Sequence, residues 1–296
     1  MGPRPPGQRL SRRAGPPAGR LADQAGAVTG LFRPRRSRSR PRRHSPRPAS
    51  RTTETAATTA DRAVLGRAAA MNATLHELHR PLGSTGLNIS PLGLGTVKLG
   101  RDQGVKYPSS FAIPDDARAR QLLALARDLG INLIDTAPAY GVSEERLGPL
   151  LAGQRDEWVI VSKVGEEFEN GQSRFNFSAA HTRFSVERSL KRLRTDRIEL
   201  VLVHSDGNDL DILQHAEVYQ TLAELKREGK ILGYGLSGKT VDGGLLALQQ
   251  GDCAMVTYNL NEQAERPVLD YAAAHGKGIL IKKALASGHA CLKPGE

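Results

Sequence analysis

Three apolar runs in the middle of the chain each end in a polar side chain. Ile131 to Ile134 runs into Asp135, Trp158 to Val161 into Ser162 and Lys163, and Ile198 to Val203 into His204. Near-continuous apolar runs of this length read as strands buried on both faces. A carboxylate closing such a run is costly to bury without a cationic partner. Between the runs the period changes to that of helices. Pro114 and Asp115 open a stripe of Ala117, Leu122, Leu123, Ala126 and Leu129, which Gly130 ends. Ser143 is expected to cap a short helix to Leu151, and Ser178 one that carries Phe184, Val186, Leu190 and Leu193. Val218, Leu222 and Leu225 form a further stripe closed by Gly229. Strands are then expected over 231–237, 255–259 and 278–283, with helices over 240–250 and 262–275 between them.

Upstream, the segments 79–83 and 88–93 flank Ser84-Thr85-Gly86 and read as a hairpin. Leu92 to Thr96 gives a first strand, followed by a polar loop to Pro114 that is long enough to be functional. The glycines at 93 and 95 are not a dinucleotide fingerprint, since no third glycine closes the pattern and no helix is expected after it. Strands alternating with helices mean a parallel sheet, and seven such units favour a TIM-type (β/α)8 barrel. In that architecture Asp135, Lys163 and His204 end consecutive strands at one mouth, with Tyr140 just beyond the first. Only residues 284–296 follow the seventh strand, whereas a helix, a strand and a closing helix need roughly 30 residues or more. The expectation is an incomplete barrel of about seven strands, truncated at the C-terminus.

Charge changes the picture only at the start of the chain. Of the formal +11, residues 1–70 supply +13, with 16 Arg against 3 acids, and residues 71–296 supply −2. The expected domain, 71–296, is near neutral and carries no nucleic-acid footprint. Residues 1–70, rich in Arg and Pro, bury too little to offset chain entropy and are expected to be disordered. A basic arm for nucleic acid or membrane and a transit peptide are both conceivable. The favoured expectation is a start-site artefact, with synthesis beginning at Met71. Two cysteines, Cys253 and Cys291, imply no disulfide framework and fit a reducing, cytoplasmic compartment. No apolar run approaches the roughly 20 residues that span a bilayer.

Asp135 with Tyr140 five residues on, Lys163 and His204 together resemble the catalytic tetrad of the aldo-keto reductases. The resemblance runs from about Arg80 to Leu285 and includes Gly-Leu-Gly-Thr at 93–96, Ile-Asp-Thr-Ala-Pro-Ala-Tyr-Gly at 134–141 and Gly-Leu-Ser-Gly at 235–238. A phenol near pKa 10 is a poor acid or base at neutral pH, and an adjacent ammonium lowers it. Lys163 is expected to do so for Tyr140, with Asp135 anchoring Lys163 and His204 orienting a carbonyl. No side chain supplies hydride, so a cofactor must. The resemblance implies NADPH rather than NADH, contacted by Gly95, Thr96, Asp135, Ser237, Gly238, Lys282 and Leu285, and no metal. Departures lie at Ser237-Gly238, where the family often has Ser-Asn, at Met255 in place of a Gln, and at Lys282 in place of a stacking aromatic.

Each residue alone has a plainer reading: a loop aromatic for Tyr140, a structural partner of Asp135 for Lys163, a hydrogen-bonded structural group for His204. The same applies to His181, His215, His275 and His289 as surface groups, and to Asp206, Asn208 and Asp209 as loop polar residues. The expected function is NAD(P)H-dependent reduction of an aldehyde, ketone or sugar carbonyl, with Tyr140 as proton donor and a small carbonyl compound as partner. Alternatives are a non-catalytic nucleotide-binding regulatory barrel, an inactive fragment, and a Schiff-base aldolase acting through Lys163.

Overall fold

The computed structural model describes residues 76–291. The expectations for residues 1–70 and for a start at Met71 lie outside the described residues. A two-stranded antiparallel hairpin comes first, β1 (Arg80–Pro81) on β2 (Asn88–Ile89). Seven strands follow in one parallel sheet: β3 (Gly93–Gly95), β4 (Leu133–Asp135), β5 (Val159–Val164), β8 (Ile198–His204), β9 (Ile231–Ser237), β10 (Cys253–Thr257) and β11 (Gly278–Lys282). Each pairs only with its neighbours in the chain, so the order runs β11-β10-β9-β8-β5-β4-β3. The sheet curls into a (β/α)8-type barrel lacking one strand, which leaves β3 and β11 as edges among the described residues.

The period of two divides the strands between two apolar clusters. Leu133, Val161, Leu200, Leu202, Cys253, Met255 and Leu280 point inward and meet Leu82 and Ile89 of the hairpin, which plugs one end of the barrel. Ile134, Ile160, Val201, Val203 and Leu236 point outward, where Leu123, Leu147, Val186 and Leu222 of the helices cover them. Burying each such side chain contributes about 1.5–3 kcal/mol.

The connecting helices are α1 (Val97–Gly100), α2 (Asp116–Asp128), α3 (Ser143–Leu150), α4 (Ala179–Leu193), α5 (Asp209–His215), α6 (Val218–Arg227), α7 (Val241–Gln250) and α8 (Arg266–His275). Asp115, Ser178 and Thr240 cap α2, α4 and α7, each accepting from a backbone N–H three residues on. Ser143 does not cap α3; it begins the helix, and its hydroxyl turns inward to Thr96. The buried stripe of α2 is Ala119, Leu123 and Ala126, while Leu122 is exposed. On α4 Phe184 is 56% exposed, with the Arg188 guanidinium 5.1 Å from its ring centroid, whereas Val186 and Leu193 carry the burial.

Three elements were not expected. The one-turn α1 follows Gly95-Thr96, and α5 occupies the segment read as a loop after His204. A second antiparallel hairpin, β6 (Glu166–Glu169) on β7 (Gln172–Phe175), rises directly from β5. Its tip is Asn170-Gly171, both at positive φ (52° and 78°). That pair is the strongest short hairpin signal a sequence offers, hidden here by strands too polar to show an apolar period.

Candidate active site

Strand register brings the polar ends together. Gly95 lies opposite Asp135, Lys163 opposite Leu202, and His204 opposite Ser237, so Asp135, Lys163, His204 and Ser237, each within one residue of the end of its strand, meet at one mouth. Beyond β4 the chain turns tightly: Tyr140 N–H donates to Ala137 O at 3.0 Å and Ser143 N–H to Tyr140 O at 3.2 Å. Two glycines make that turn possible. A Cβ on Gly141, at φ +60°, would strike the carbonyl of Gly100, and one on Gly100 would strike the backbone of 140–143. Behind them Thr96, Thr136 and Ser143 form a buried hydroxyl chain, with Thr96 Oγ1 donating to Asp135 O at 2.9 Å.

Lys163 is 2% exposed, and its ammonium spends all three hydrogens inside the site. Asp135 Oδ1 accepts at 2.6 Å, Thr136 O at 2.9 Å and the Tyr140 hydroxyl at 3.2 Å. The Tyr140 hydroxyl donates in turn to Asp135 Oδ2 at 3.3 Å. Burial alone would lower Lys163, but Asp135 and Tyr140 outweigh it and hold the lysine above its ordinary pKa. A permanently charged lysine of this kind is a poor Schiff-base former, which needs the free amine.

The phenol behaves otherwise than the sequence suggests. Burial and Asp135 raise Tyr140 more than Lys163 lowers it, and its pKa is pushed up to about 12. The carboxylate that anchors the ammonium also lies against the phenol, so the two charges largely offset each other. His204 closes the group, its ring 6.3 Å from that of Tyr140 and edge-on at 84°. Burial, Lys163 and Lys282 together hold its pKa below the ordinary value against the pull of Glu166.

The mouth opens into a cavity of about 1590 Å³ whose walls include Gly95, Asp135, Tyr140, Lys163, His204, Ser237, Gly238 and Lys282. Lys106 and Tyr107, from the loop before α2, line it as well. Lys282 reaches from β11 to the end of β9, donating to Ser237 Oγ at 3.0 Å and to Gly238 O at 2.6 Å. Burial lowers its pKa to about 8. Two expected cofactor contacts fall elsewhere. Thr96 is fully buried behind Asp135, and Leu285 is 61% exposed and outside the cavity wall. Asp209 is not a loop residue but a buried anchor, accepting from the backbone of Lys239 and Thr240 at 2.7 and 2.8 Å. His181 is partly buried against Glu167, while His215 and His289 are exposed. Among the described residues no cluster of three or more His, Cys, Asp or Glu gathers as metal ligands, and no helix is long and apolar enough to cross a membrane.

Comparison with known proteins matches residues 91–291 to the profile of the Aldo/keto reductase family. The chain belongs to the aldo/keto reductase family. An L-galactose dehydrogenase of Arabidopsis thaliana is 32% identical over 222 residues, covering 71% of this chain and 66% of that one. An NADH-specific methylglyoxal reductase of Escherichia coli is 32% identical, covering 65% of this chain and 60% of its own. A solved structure of a candidate aldo-keto reductase from Pseudomonas aeruginosa superimposes with a TM-score of 0.68 at 78% identity, covering 72% of this chain and 81% of the other. The chain thus spans just under two thirds of the length of these curated relatives.

Aldo-keto reductases use nicotinamide cofactors, and the residues around this mouth fit one. Ser237 Oγ, 2% exposed at residue level, already serves as acceptor for a donor across the cavity, as an amide would require. Lys106, Lys239, Lys282 and Lys283 also line the cavity, cations of the kind that pair with a diphosphate. The residue that the sequence reading missed is Glu166, at the base of the β6-β7 hairpin, with Oε2 2.7 Å from His204 Nδ1.

Proposed function

We propose that this chain reduces a small aldehyde, ketone or sugar carbonyl with a reduced nicotinamide cofactor, Tyr140 delivering the proton to the carbonyl oxygen. The carrying observation is the buried contact of Asp135, Lys163 and Tyr140, with the Lys163 Nζ to Tyr140 OH distance at 3.2 Å. The bound cofactor would supply hydride. Ser237 and Gly238 would hold its amide end, and Lys239 and Lys283 its phosphates. Extra phosphate on NADPH adds to that electrostatic attraction, which favours NADPH over NADH.

A phenol at about 12 stays protonated throughout the working pH range and is ready to donate. Lys163 donates to the oxygen that becomes phenolate and stabilises the charge left behind once the proton has moved. Asp135 keeps the lysine in place. His204, edge-on beside Tyr140, would hydrogen-bond the same carbonyl oxygen when it carries a proton on the nitrogen facing the cavity. Consumption of NADPH with a panel of small aldehydes and sugars tests the reading, and turnover that disappears in Tyr140→Phe supports it. Cofactor binding without turnover on any of them would favour a regulatory, nucleotide-sensing role.

A further inference from the structure

Glu166 is a carboxylate with a fixed setting. Ser173 of β7 donates to its Oε1 at 2.5 Å, across the hairpin that Asn170-Gly171 closes. Burial would raise its pKa, but His204, Ser173 and the nearby Arg101 guanidinium hold it down at about 2, so it is ionised at any working pH. Its Oε2 stands 2.7 Å from His204 Nδ1, off the line of an ideal N–H bond, and that nitrogen has no other partner among the described residues. Nδ1 is buried, yet the His204 side chain is 23% exposed, so the edge of the ring carrying Nε2 is the one that meets the cavity.

A lone pair on Nδ1 facing a carboxylate at 2.7 Å would be repulsive. The proton must therefore sit on Nδ1. Neutral His204 then presents a bare Nε2, an acceptor suited to a hydroxyl. Only the imidazolium carries a second N–H with which to hold a carbonyl oxygen. We propose that Glu166 is a positioning residue that locks His204 in its Nδ1–H tautomer. The inference rests on the carbonyl-reducing reading above and adds to it the group that fixes which nitrogen of His204 meets the substrate.

The charges facing the imidazole are Glu166 on β6, which favours its protonation, and Lys163 on β5 and Lys282 on β11, which oppose it. Tyr140 stands edge-on beside it and stays neutral. Removing the one favourable charge lowers the pH at which His204 protonates. Carbonyl reduction, carried by the protonated form, is then lost from lower pH upward.

The test reads the imidazole directly. Long-range ¹⁵N–¹H NMR of the unsubstituted protein, with His204 assigned by its loss in His204→Asn, should show a protonated Nδ1 and an unprotonated Nε2 at high pH. In Glu166→Gln the His204 titration midpoint should fall by about 1 unit or more. The midpoint of kcat/KM for carbonyl reduction should move with it, roughly tenfold in rate at a pH above both. Glu167→Gln, which removes a neighbouring carboxylate engaged by Arg188, should move neither. A neutral His204 protonated on Nε2, or a midpoint unmoved in Glu166→Gln, overturns the proposal. The NMR reading needs no turnover. An Nδ1–H tautomer and a shifted midpoint in a chain that reduces no carbonyl would leave the pairing standing and refute the reductase reading instead.

Discussion

Tyr140 and Lys163 illustrate how residue-scale electrostatics here depend on a third group. The ammonium lowers the phenol as the sequence suggests, but Asp135 and burial outweigh it, leaving an acid at about 12. Tyr140→Phe should lower turnover by about 10²–10⁴, the usual worth of a positioned acid, with little change in thermal stability. Lys163→Met removes the cation from a buried pair. It should abolish turnover and cost up to about 3 kcal/mol in denaturant unfolding, the low end of the range for a broken buried pair, because the Asp135 side chain is 23% exposed. Cys253 is fully buried and its thiol is pushed up to about 12 by burial and Asp252. Peptide mapping after mild alkylation should therefore find Cys253 unmodified in the native protein, and modified only at the rate of unfolding. Fast native labelling would show that the barrel interior opens.

At the scale of elements, the strands and the four mouth residues were legible because both depend on simple signals. Apolar runs with polar ends fixed β4, β5 and β8, and the register then had to bring Asp135, Lys163 and His204 to one side. The stripes expected on α2 and α4 include the buried Leu123, Ala126, Val186 and Leu193, but they also take in Leu122 and Phe184, apolar residues that the fold leaves exposed. Exposed apolar side chains are common enough that a stripe alone does not fix a face. Hairpin β6-β7 is hard to read from sequence for the opposite reason. Its residues are polar, and only Asn170-Gly171 betrays it. The hairpin carries Glu166 while standing outside the barrel sheet, so its integrity can be altered without breaking the core. Gly171→Val forces a β-branched residue to φ +78° and should cost about 1–3 kcal/mol locally. Hydrogen exchange in 166–175 should accelerate and kcat/KM for reduction should fall, while the thermal midpoint stays nearly constant. An unchanged exchange rate in the hairpin would contradict this account.

For the molecule as a whole, the seven-stranded order has two ends among the described residues. Only β4 flanks β3 and only β10 flanks β11, while β5, β8 and β9 are paired on both sides. Amide exchange should follow that order, fastest in Gly93–Gly95 and Gly278–Lys282 and slowest in Ile198–His204. Slower exchange in β11 than in β8 would mean that the edge is covered. One side chain links this edge to the interior. Lys282 stretches from β11 past β10 to fasten on Ser237 and Gly238 of the β9 end. Any guest that brings its own amide to Ser237 shares that oxygen with the lysine or displaces it. Admission to the mouth and the tie from β11 across to β9 therefore draw on the same two oxygen atoms, and a visitor that gains both leaves β11 moored to β10 alone among the described residues.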